Sequence, residues 1–276
     1  MSFVWRDGVF LSKSEFSISP MDRGLCHGMS LFETLLVVNG QPQLFDEHME
    51  RLLGGLKKLG VEAEVEAYHD LRSAMVTLIE KNELSDGMAR LRLSLSFGEG
   101  TLNDLSEKHS WAWMTVQPLD GFPKSVQVIT APWKKAHEGI LCGLKSGNYA
   151  EPIIALDYAR RMNCQEIIFF NTADELCEAA MANIFLIHEG ELLTPHLASG
   201  CLPGITRALL LRLAKAEGIP CHEVPLSRDD LYQADCIFLT SSAKGLISVC
   251  EVDGKSFHEH PLFLSLRDRW LREMTL

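Results

Sequence analysis

Two spacings of apolar residues alternate along this chain, and the changes from one to the other outline its elements. Residues 3–10 form an apolar stretch interrupted at Asp7-Gly8, and residues 31–38 and 41–45 flank Asn39-Gly40. Both dipeptides tolerate positive φ, so each stretch reads as a hairpin. Helical spacing takes over at 46–59, with Asp46 as the cap and Glu47 to Arg51 in the first turns. It returns at 66–82, where Tyr68, Leu71, Ala74, Met75 and Leu78 share one face. Strands over 89–97 and 111–117 follow, and Leu119-Asp120-Gly121-Phe122-Pro123 supplies the turn residues of a linker.

Beyond the linker the pattern gives a strand at 126–130, a helix at 152–162 and a strand at 166–170. A hairpin joins 184–187 to 191–194 through Glu189-Gly190. A helix opens after Pro203-Gly204 and runs to Glu217, where Gly218 takes the position that ends helices. Ser227 caps a short helix to Tyr232, and a strand at 236–240 runs into Ser241-Ser242. Strands and helices alternate loosely, with several hairpins among them. This predicts an α+β fold leaning to α/β, with mixed rather than all-parallel sheets. The expected division is a smaller N-terminal α/β domain over 1–119, a linker at 120–124, and a larger C-terminal domain over 125–276 that carries Lys145.

Composition narrows the function classes. The net charge of −11 over 276 residues opposes nucleic acid or an anionic membrane as partner, and an anionic substrate would need local arginines to overcome that field. No apolar run is long enough to span a bilayer, and the first residues lack the apolar core of a secretory signal, so a cytoplasmic location is expected. The eight cysteines are scattered without a C-x-x-C pair, which fits reduced thiols, mostly buried, and neither a disulfide framework nor a zinc site. His137 and His196 fall in no metal-binding spacing, and Gly98-Glu99-Gly100 lacks the third glycine of a dinucleotide loop.

The candidate chemistry centres on Gly143-Leu144-Lys145-Ser146-Gly147-Asn148-Tyr149. A lysine set among small residues and withdrawn from water can become the neutral amine that Schiff-base chemistry needs, although most lysines are solvated surface charge. Gly204-Ile205-Thr206 opens a helix whose free N–H groups suit an anion, or simply an ordinary cap. Ser241 and Ser242 add hydroxyl donors at the carboxyl end of a strand. Arg51 offers a planar fork that suits phosphate, unless it is one more exposed helical arginine. Glu178 stands among small and apolar residues, where a carboxylate is costly unless a cation or a protonated ring nitrogen meets it.

In this order the residues resemble the class IV aminotransferases, the fold type IV pyridoxal phosphate enzymes. The matching pieces are Leu31-Phe32-Glu33-Thr34, His48-x-x-Arg51-Leu52, Lys145-Ser146-Gly147-Asn148-Tyr149, Glu178 through Asn183-Ile184-Phe185, Leu202-Pro203-Gly204-Ile205-Thr206-Arg207 and Thr240-Ser241-Ser242. The resemblance implies a two-domain architecture like that of D-amino acid aminotransferase, a homodimer, and pyridoxal 5'-phosphate as cofactor. It implies that Lys145 forms the Schiff base and moves protons at the substrate carbon, and that Glu178 keeps the pyridine nitrogen protonated. Arg51, Gly204, Ile205, Thr206, Ser241 and Ser242 would surround the phosphate. Leu202 would pack on the ring, Asn183 would complete the cofactor site, and Tyr149 would reach the ring hydroxyl. No metal is called for.

Within that family Phe32-Glu33-Thr34 before an Asn-Gly hairpin is more similar to the 4-amino-4-deoxychorismate lyases than to the branched-chain or D-amino acid aminotransferases. The expected reaction is then release of pyruvate and 4-aminobenzoate from a small anionic amino substrate, in folate synthesis, with Thr34 near that substrate. An aminotransferase is the alternative, and a non-catalytic dimer of the same fold a third reading. Two departures fall on the substrate side: Gly28-Met29-Ser30 where the family often has G-D-G, and Ser96-Phe97-Gly98 where it has S-R-G. Arg90 and Arg92 are the nearby cations able to substitute.

Overall fold

The structure, a computed structural model, describes residues 2–61, 70–103 and 110–274. Its chain groups into two compact units, Met1–Gly121 with Leu144–Asn148, and Phe122–Gly143 with Tyr149–Leu276. The change of unit after Gly121 falls inside the expected linker. The return of Leu144–Asn148 to the first unit corrects one expectation. Position in the sequence assigns Lys145 to the C-terminal domain, whereas its strip pairs with a strand of the N-terminal one.

The first unit holds β1 (Phe3–Arg6), β2 (Val9–Ser12), β3 (Ser30–Val38), β4 (Gln41–Pro42), β5 (Met88–Ser96) and β6 (Trp111–Pro118). They form one sheet in the order β2-β1-β6-β5-β3-β4. All its pairings are antiparallel, so this sheet is not mixed. Helices α1 (Arg23–His27), α2 (Phe45–Lys58) and α3 (Leu71–Lys81) accompany it. Leu31, Leu35 and Val37 of β3 pack with Leu91, Leu93 and Leu95 of β5, Leu52 and Leu56 of α2, and Met75, Leu78 and Ile79 of α3. The alternation of a strand puts Glu33 on that same apolar face.

Two local expectations change. Asp46 is not the cap of α2: Leu44 holds that place with φ 51, and Asp46 lies in the first turn. That left-handed residue turns the chain directly into the helix, so the return strand of the second hairpin is only Gln41–Pro42. For the helix expected over 66–82, Tyr68 lies outside the described residues and α3 covers Leu71–Lys81.

The backbone beside the departure at Phe97, and the Ser96 hydroxyl before it, anchor a neighbouring element. Asp22, 2% exposed, accepts from the Leu25 N–H (2.9 Å), the Ser96 hydroxyl (2.7 and 2.8 Å) and the Trp111 indole N–H (2.7 Å). Its neighbour Arg23 donates to the carbonyls of Phe97 (2.7 Å) and Gly98 (3.2 Å). Together they pin α1 to the end of β5.

The second unit contains β7 (Ser125–Thr130), α4 (Ala150–Arg161), β8 (Glu166–Phe170), β9 (Leu176–Ala179), β10 (Asn183–His188), β11 (Glu191–Pro195), α5 (Ile205–Ala216), β12 (Cys221–Val224), α6 (Arg228–Gln233), β13 (Cys236–Ser241), β14 (Gly245–Val252), β15 (Lys255–Ser256) and α7 (Pro261–Glu273). Its sheet runs β12-β11-β10-β13-β14-β7-β8-β9, with β15 added to β14. The β11/β12, β14/β7 and β7/β8 pairs are parallel and the others antiparallel, so the expected mixed sheet is found here. One core gathers Val126, Val128, Ile168, Ile184, Leu239 and Ile247. In the same unit, Phe238 stacks on Phe185 (5.2 Å between ring centres) and meets Phe263 of α7 (5.0 Å).

All eight cysteines are free thiols. Only Cys177, Cys201 and Cys236 are buried, fewer than expected, and Cys26 is exposed. Among the described residues no helix is long and apolar enough to cross a membrane.

Asp22→Ala leaves the Trp111 N–H, the Ser96 hydroxyl and the Leu25 N–H without their shared acceptor. The expected cost is roughly 2–4 kcal/mol of stability, read as a lower urea midpoint at unchanged slope.

Candidate active site

In the first unit the lysine strip is an added edge to β3. Ser146 bridges Leu31, the Phe32 N–H donates to the Lys145 carbonyl (2.9 Å), and the Gly147 N–H donates to the Ser30 carbonyl (2.7 Å). A Cβ on Gly147 would stand 2.0 Å from the Ser30 hydroxyl, so this approach needs glycine. Asn148 donates to the Gly28 carbonyl (3.1 Å). The departure Gly28-Met29-Ser30 is therefore part of the seat for the lysine strip.

Half-buried Lys145 holds its ammonium 4.5 Å from the centre of the Phe32 ring, and the Arg92 guanidinium lies 3.7 Å from the same ring. Thr34 is directly opposite Arg92 in the β3–β5 register and shares the face of Phe32 by alternation. Arg92 also donates from Nε to the Ser94 hydroxyl (3.0 Å). Arg90 is exposed and bonds Gln117 (2.6 Å).

Glu33 projects from the other face of β3 and is 1% exposed. Arg51 grips it with Nε (2.8 Å) and Nη2 (2.6 Å), and His48 Nδ1 stands 2.6 Å from the same carboxylate. Burial by itself would push the Glu33 carboxyl up. The His48 hydrogen bond and the Arg51 guanidinium outweigh it and hold the carboxyl down to about 2. Burial moves His48 the other way, below its ordinary value, and the charges of Arg51 and Lys145 add to that against the bond to Glu33. A neutral imidazole facing an ionised carboxylate must carry its proton on Nδ1. The sequence reading gives Arg51 a phosphate to hold; the structure gives two of its nitrogens to Glu33, and a phosphate role cannot use those two while Glu33 holds them.

The second unit gathers most of the remaining candidates. Glu178, on β9, accepts the Leu202 N–H on Oε2 (2.9 Å) and the Lys135 ammonium on Oε1. Asn183 donates to the Leu202 carbonyl (2.8 Å), so both polar groups of the Leu202 backbone are held by the sheet. A Cβ at Gly204 would lie 1.9 Å from the Asn183 amide oxygen, which makes this glycine obligatory where the strip meets α5. No side chain among the described residues caps α5, and Gly204 occupies its cap position with extended backbone. Thr240 is opposite Asn183 in the β10–β13 register, its hydroxyl buried with no partner among the described residues, and Ser241 and Ser242 follow it. Asn183 is thereby the hub that ties Glu178, Leu202, Gly204 and the Ser241-Ser242 loop together. Tyr149 stands immediately before α4.

Sequence reasoning missed Glu33 as the partner of Arg51, and Lys135 as the partner of Glu178. Lys134-Lys135 after Trp133 reads as solvated charge; the only available signal was that Glu178 required a cation from somewhere. His137 bonds the Thr172 hydroxyl (2.7 Å) and His196 faces Glu175 (3.3 Å), both satisfied residues. Among the described residues no three acidic, histidine or cysteine side chains gather as a metal site would.

Residues 30–252 match the family described as amino-transferase class IV. The chain belongs to that family. It is 30% identical to a solved Legionella pneumophila protein provisionally named 4-amino-4-deoxychorismate lyase, with a TM-score of 0.88 over 95% of this chain and 97% of that one. The solved branched-chain amino acid aminotransferase of Escherichia coli gives a TM-score of 0.91 at 26% identity, over 98% and 94% of the two chains. The D-alanine aminotransferase of Staphylococcus aureus is 25% identical over 94% of this chain and 92% of its own length.

Class IV aminotransferases are enzymes of pyridoxal 5'-phosphate, acting as aminotransferases or lyases, and pyridoxal phosphate is the cofactor here. The residues present fit it. The uncapped start of α5 suits the phosphate, and the buried Thr240 hydroxyl beside the Ser241-Ser242 loop is a donor still to be satisfied.

Glu33→Gln carries a pH signature. The wild-type carboxyl titrates near 2 when folded and near 4.5 when unfolded, so its contribution is complete above the unfolded value and is lost as pH falls through the folded one. The variant should be less stable by roughly 3 kcal/mol at neutral pH, with the gap closing between about pH 5 and pH 2 in urea melts. A gap that does not change with pH would show that Glu33 is not held as a paired anion.

Proposed function

We propose that this chain is a 4-amino-4-deoxychorismate lyase, releasing pyruvate and 4-aminobenzoate from its substrate, a step of folate synthesis. The observation that carries this reading is the sheet face shared by Phe32, Thr34 and Arg92 with the Lys145 amine. A guanidinium and a hydroxyl beside the base suit a substrate that brings carboxylates, in a protein whose overall charge repels them. The likeness to the Legionella protein supports the same choice. A second reading, a branched-chain or D-amino acid aminotransferase, is favoured by the likeness to the E. coli and S. aureus enzymes. A homodimer in the cytoplasm belongs to either reading.

Bound pyridoxal phosphate supplies a carbonyl for the substrate amine and a ring that accepts the electron pair left when a bond at the neighbouring carbon breaks. Lys145 would be the residue that holds the cofactor's carbonyl carbon, and its amine would serve as the base for the proton on the substrate carbon next to nitrogen. Removing that proton would let the ring C–O bond break with its electron pair going to oxygen, so that enolpyruvate leaves and takes up a proton to become pyruvate while the substrate ring becomes aromatic. Glu178, oriented by the Leu202 N–H, would face the ring nitrogen and favour a proton there. The N–H groups of Ile205 and Thr206 and the hydroxyls of Thr206, Ser241 and Ser242 hold the phosphate, with Arg51 contributing charge. Gly204 allows the strip to enter α5 and Asn183 holds it, while Leu202 would pack on the ring and Tyr149 would reach the ring hydroxyl. Thr34 and Arg92 orient the substrate carboxylates.

The deciding assay supplies aminodeoxychorismate with no keto acid. The lyase yields pyruvate and 4-aminobenzoate together, and Lys145→Ala loses both this turnover and the visible absorbance of the lysine-bound cofactor. Silence until D-alanine or a branched-chain amino acid is given with 2-oxoglutarate would move the assignment to the aminotransferase.

A further inference from the structure

Lys135 has no place in the roles above, yet its position is built rather than incidental. Its backbone is fixed on both sides by the β8–β9 turn: its N–H donates to the Phe170 carbonyl (2.9 Å) and its carbonyl accepts from the Thr172 N–H (3.0 Å). From there the side chain passes over the Phe169 ring, its ammonium 5.8 Å from the ring centre, to reach Glu178. Phe169 is opposite Glu178 in the β8–β9 register, so the sheet itself sets the reach. The Lys135 side chain is 22% exposed and that of Glu178 10%, so neither charge is freely solvated.

We propose that Lys135 is the built-in counter-ion of Glu178, holding its carboxylate ionised and aimed independently of any ring cation. The inference rests on the reading of Glu178 as the partner of the cofactor's ring nitrogen. Lys135 takes Oε1 and the Leu202 N–H takes Oε2, each from the protein side, and an ionised carboxylate has about four acceptor positions. The remaining positions stay available to a ring N–H. Burial pulls the Lys135 ammonium toward neutrality, the charge of Glu178 opposes this, and the balance lies on the charged side. Glu151 adds its charge in favour of the Lys135 ammonium, and Cys177 and Cys201 are further titratable groups packed here. Burial pushes both thiols up, with the Glu178 charge adding to it, so they stay protonated and leave the carboxylate to Lys135. Without Lys135, the Glu178 carboxylate, on a side chain only 10% exposed, would keep one backbone N–H and lose its cation, and would no longer be held in place. Lys135 is thus a positioning residue, acting on the cofactor through Glu178.

The test compares thermal midpoints of the wild type, Lys135→Met and Lys135→Arg in three conditions: cofactor-free, with pyridoxal phosphate, and with its 1-deaza analogue, in which carbon replaces the ring nitrogen. In the methionine variant the cofactor-free midpoint should fall by several degrees. Pyridoxal phosphate should restore most of the loss, because its ring N–H replaces the missing cation, and the deaza analogue should not. The arginine variant should behave as the wild type. Equal losses in all three conditions would reduce the pair to a structural contact and overturn the inference, as would no loss at all. A wild type that gains nothing from pyridoxal phosphate would instead overturn the cofactor reading itself. Should the methionine variant fail to accumulate, Lys135→Gln, which keeps a donor without the charge, gives the same comparison.

Discussion

A carboxylate taken out of water must be met by a cation or by several hydrogen-bond donors, and both units are arranged around such a requirement. In the first, Glu33 occupies a position of β3 whose neighbours on the same face are Leu31, Leu35 and Val37. An apolar side chain there would pack with less difficulty. Its presence obliges α2 to bring Arg51 and His48 to the strand, which fixes the rotation of that helix. In the second, Glu178 sits where only a turn that delivers Lys135, and a strip that delivers the Leu202 N–H, can compensate it. The buried charges therefore specify how neighbouring elements dock, at a cost in desolvation that apolar residues would avoid.

The same logic accounts for Asn183. Its amide donates to the Leu202 carbonyl while the Leu202 N–H is held by Glu178, so one peptide segment is clamped from two strands, β9 and β10. The approach at Gly204, where a Cβ would collide with the Asn183 amide oxygen, then sets where α5 begins. A helix start that must receive a phosphate cannot wander by a residue, because its free N–H groups point along the axis. What resembles a run of cofactor ligands in the sequence is thus partly a frame: Asn183 and Gly204 fix positions, and on the proposed reading Ile205, Thr206 and Ser242 are the donors.

Much of this was legible in the residues, and the misses have physical causes. Asn39-Gly40, Glu189-Gly190 and Gly218 mark their turns and helix end because positive φ is a local requirement, and all four glycine or asparagine positions adopt it. The short strands β9 and β12 went unread, since their few apolar residues carry no period of their own and gain order from neighbours, and α7 was missed although Phe263, Leu266 and Trp270 stand at helical spacing on its buried face. The Asp46 cap failed because Leu44 took a left-handed conformation that propensity does not favour, imposed by the turn out of β4. Pairing between distant residues was the least visible: nothing local couples Arg51 to Glu33, or Lys135 to Glu178. The need at Glu178 could be read from its apolar company, and the identity of the cation that met it could not.

The late fork between lyase and aminotransferase has the same origin. Both need a lysine that moves a proton, a carboxylate on the ring nitrogen and a phosphate anchor, and the second unit is indifferent to which follows. After proton loss, a substrate carrying its own leaving group and an incipient aromatic ring proceeds to expel pyruvate, whereas an ordinary amino acid can only be reprotonated elsewhere and hydrolysed. The protein's part in the choice is therefore admission of the substrate. On the proposed reading that places specificity on the Phe32–Thr34–Arg92 face, where the Arg92 guanidinium lies 3.7 Å from the centre of the Phe32 ring.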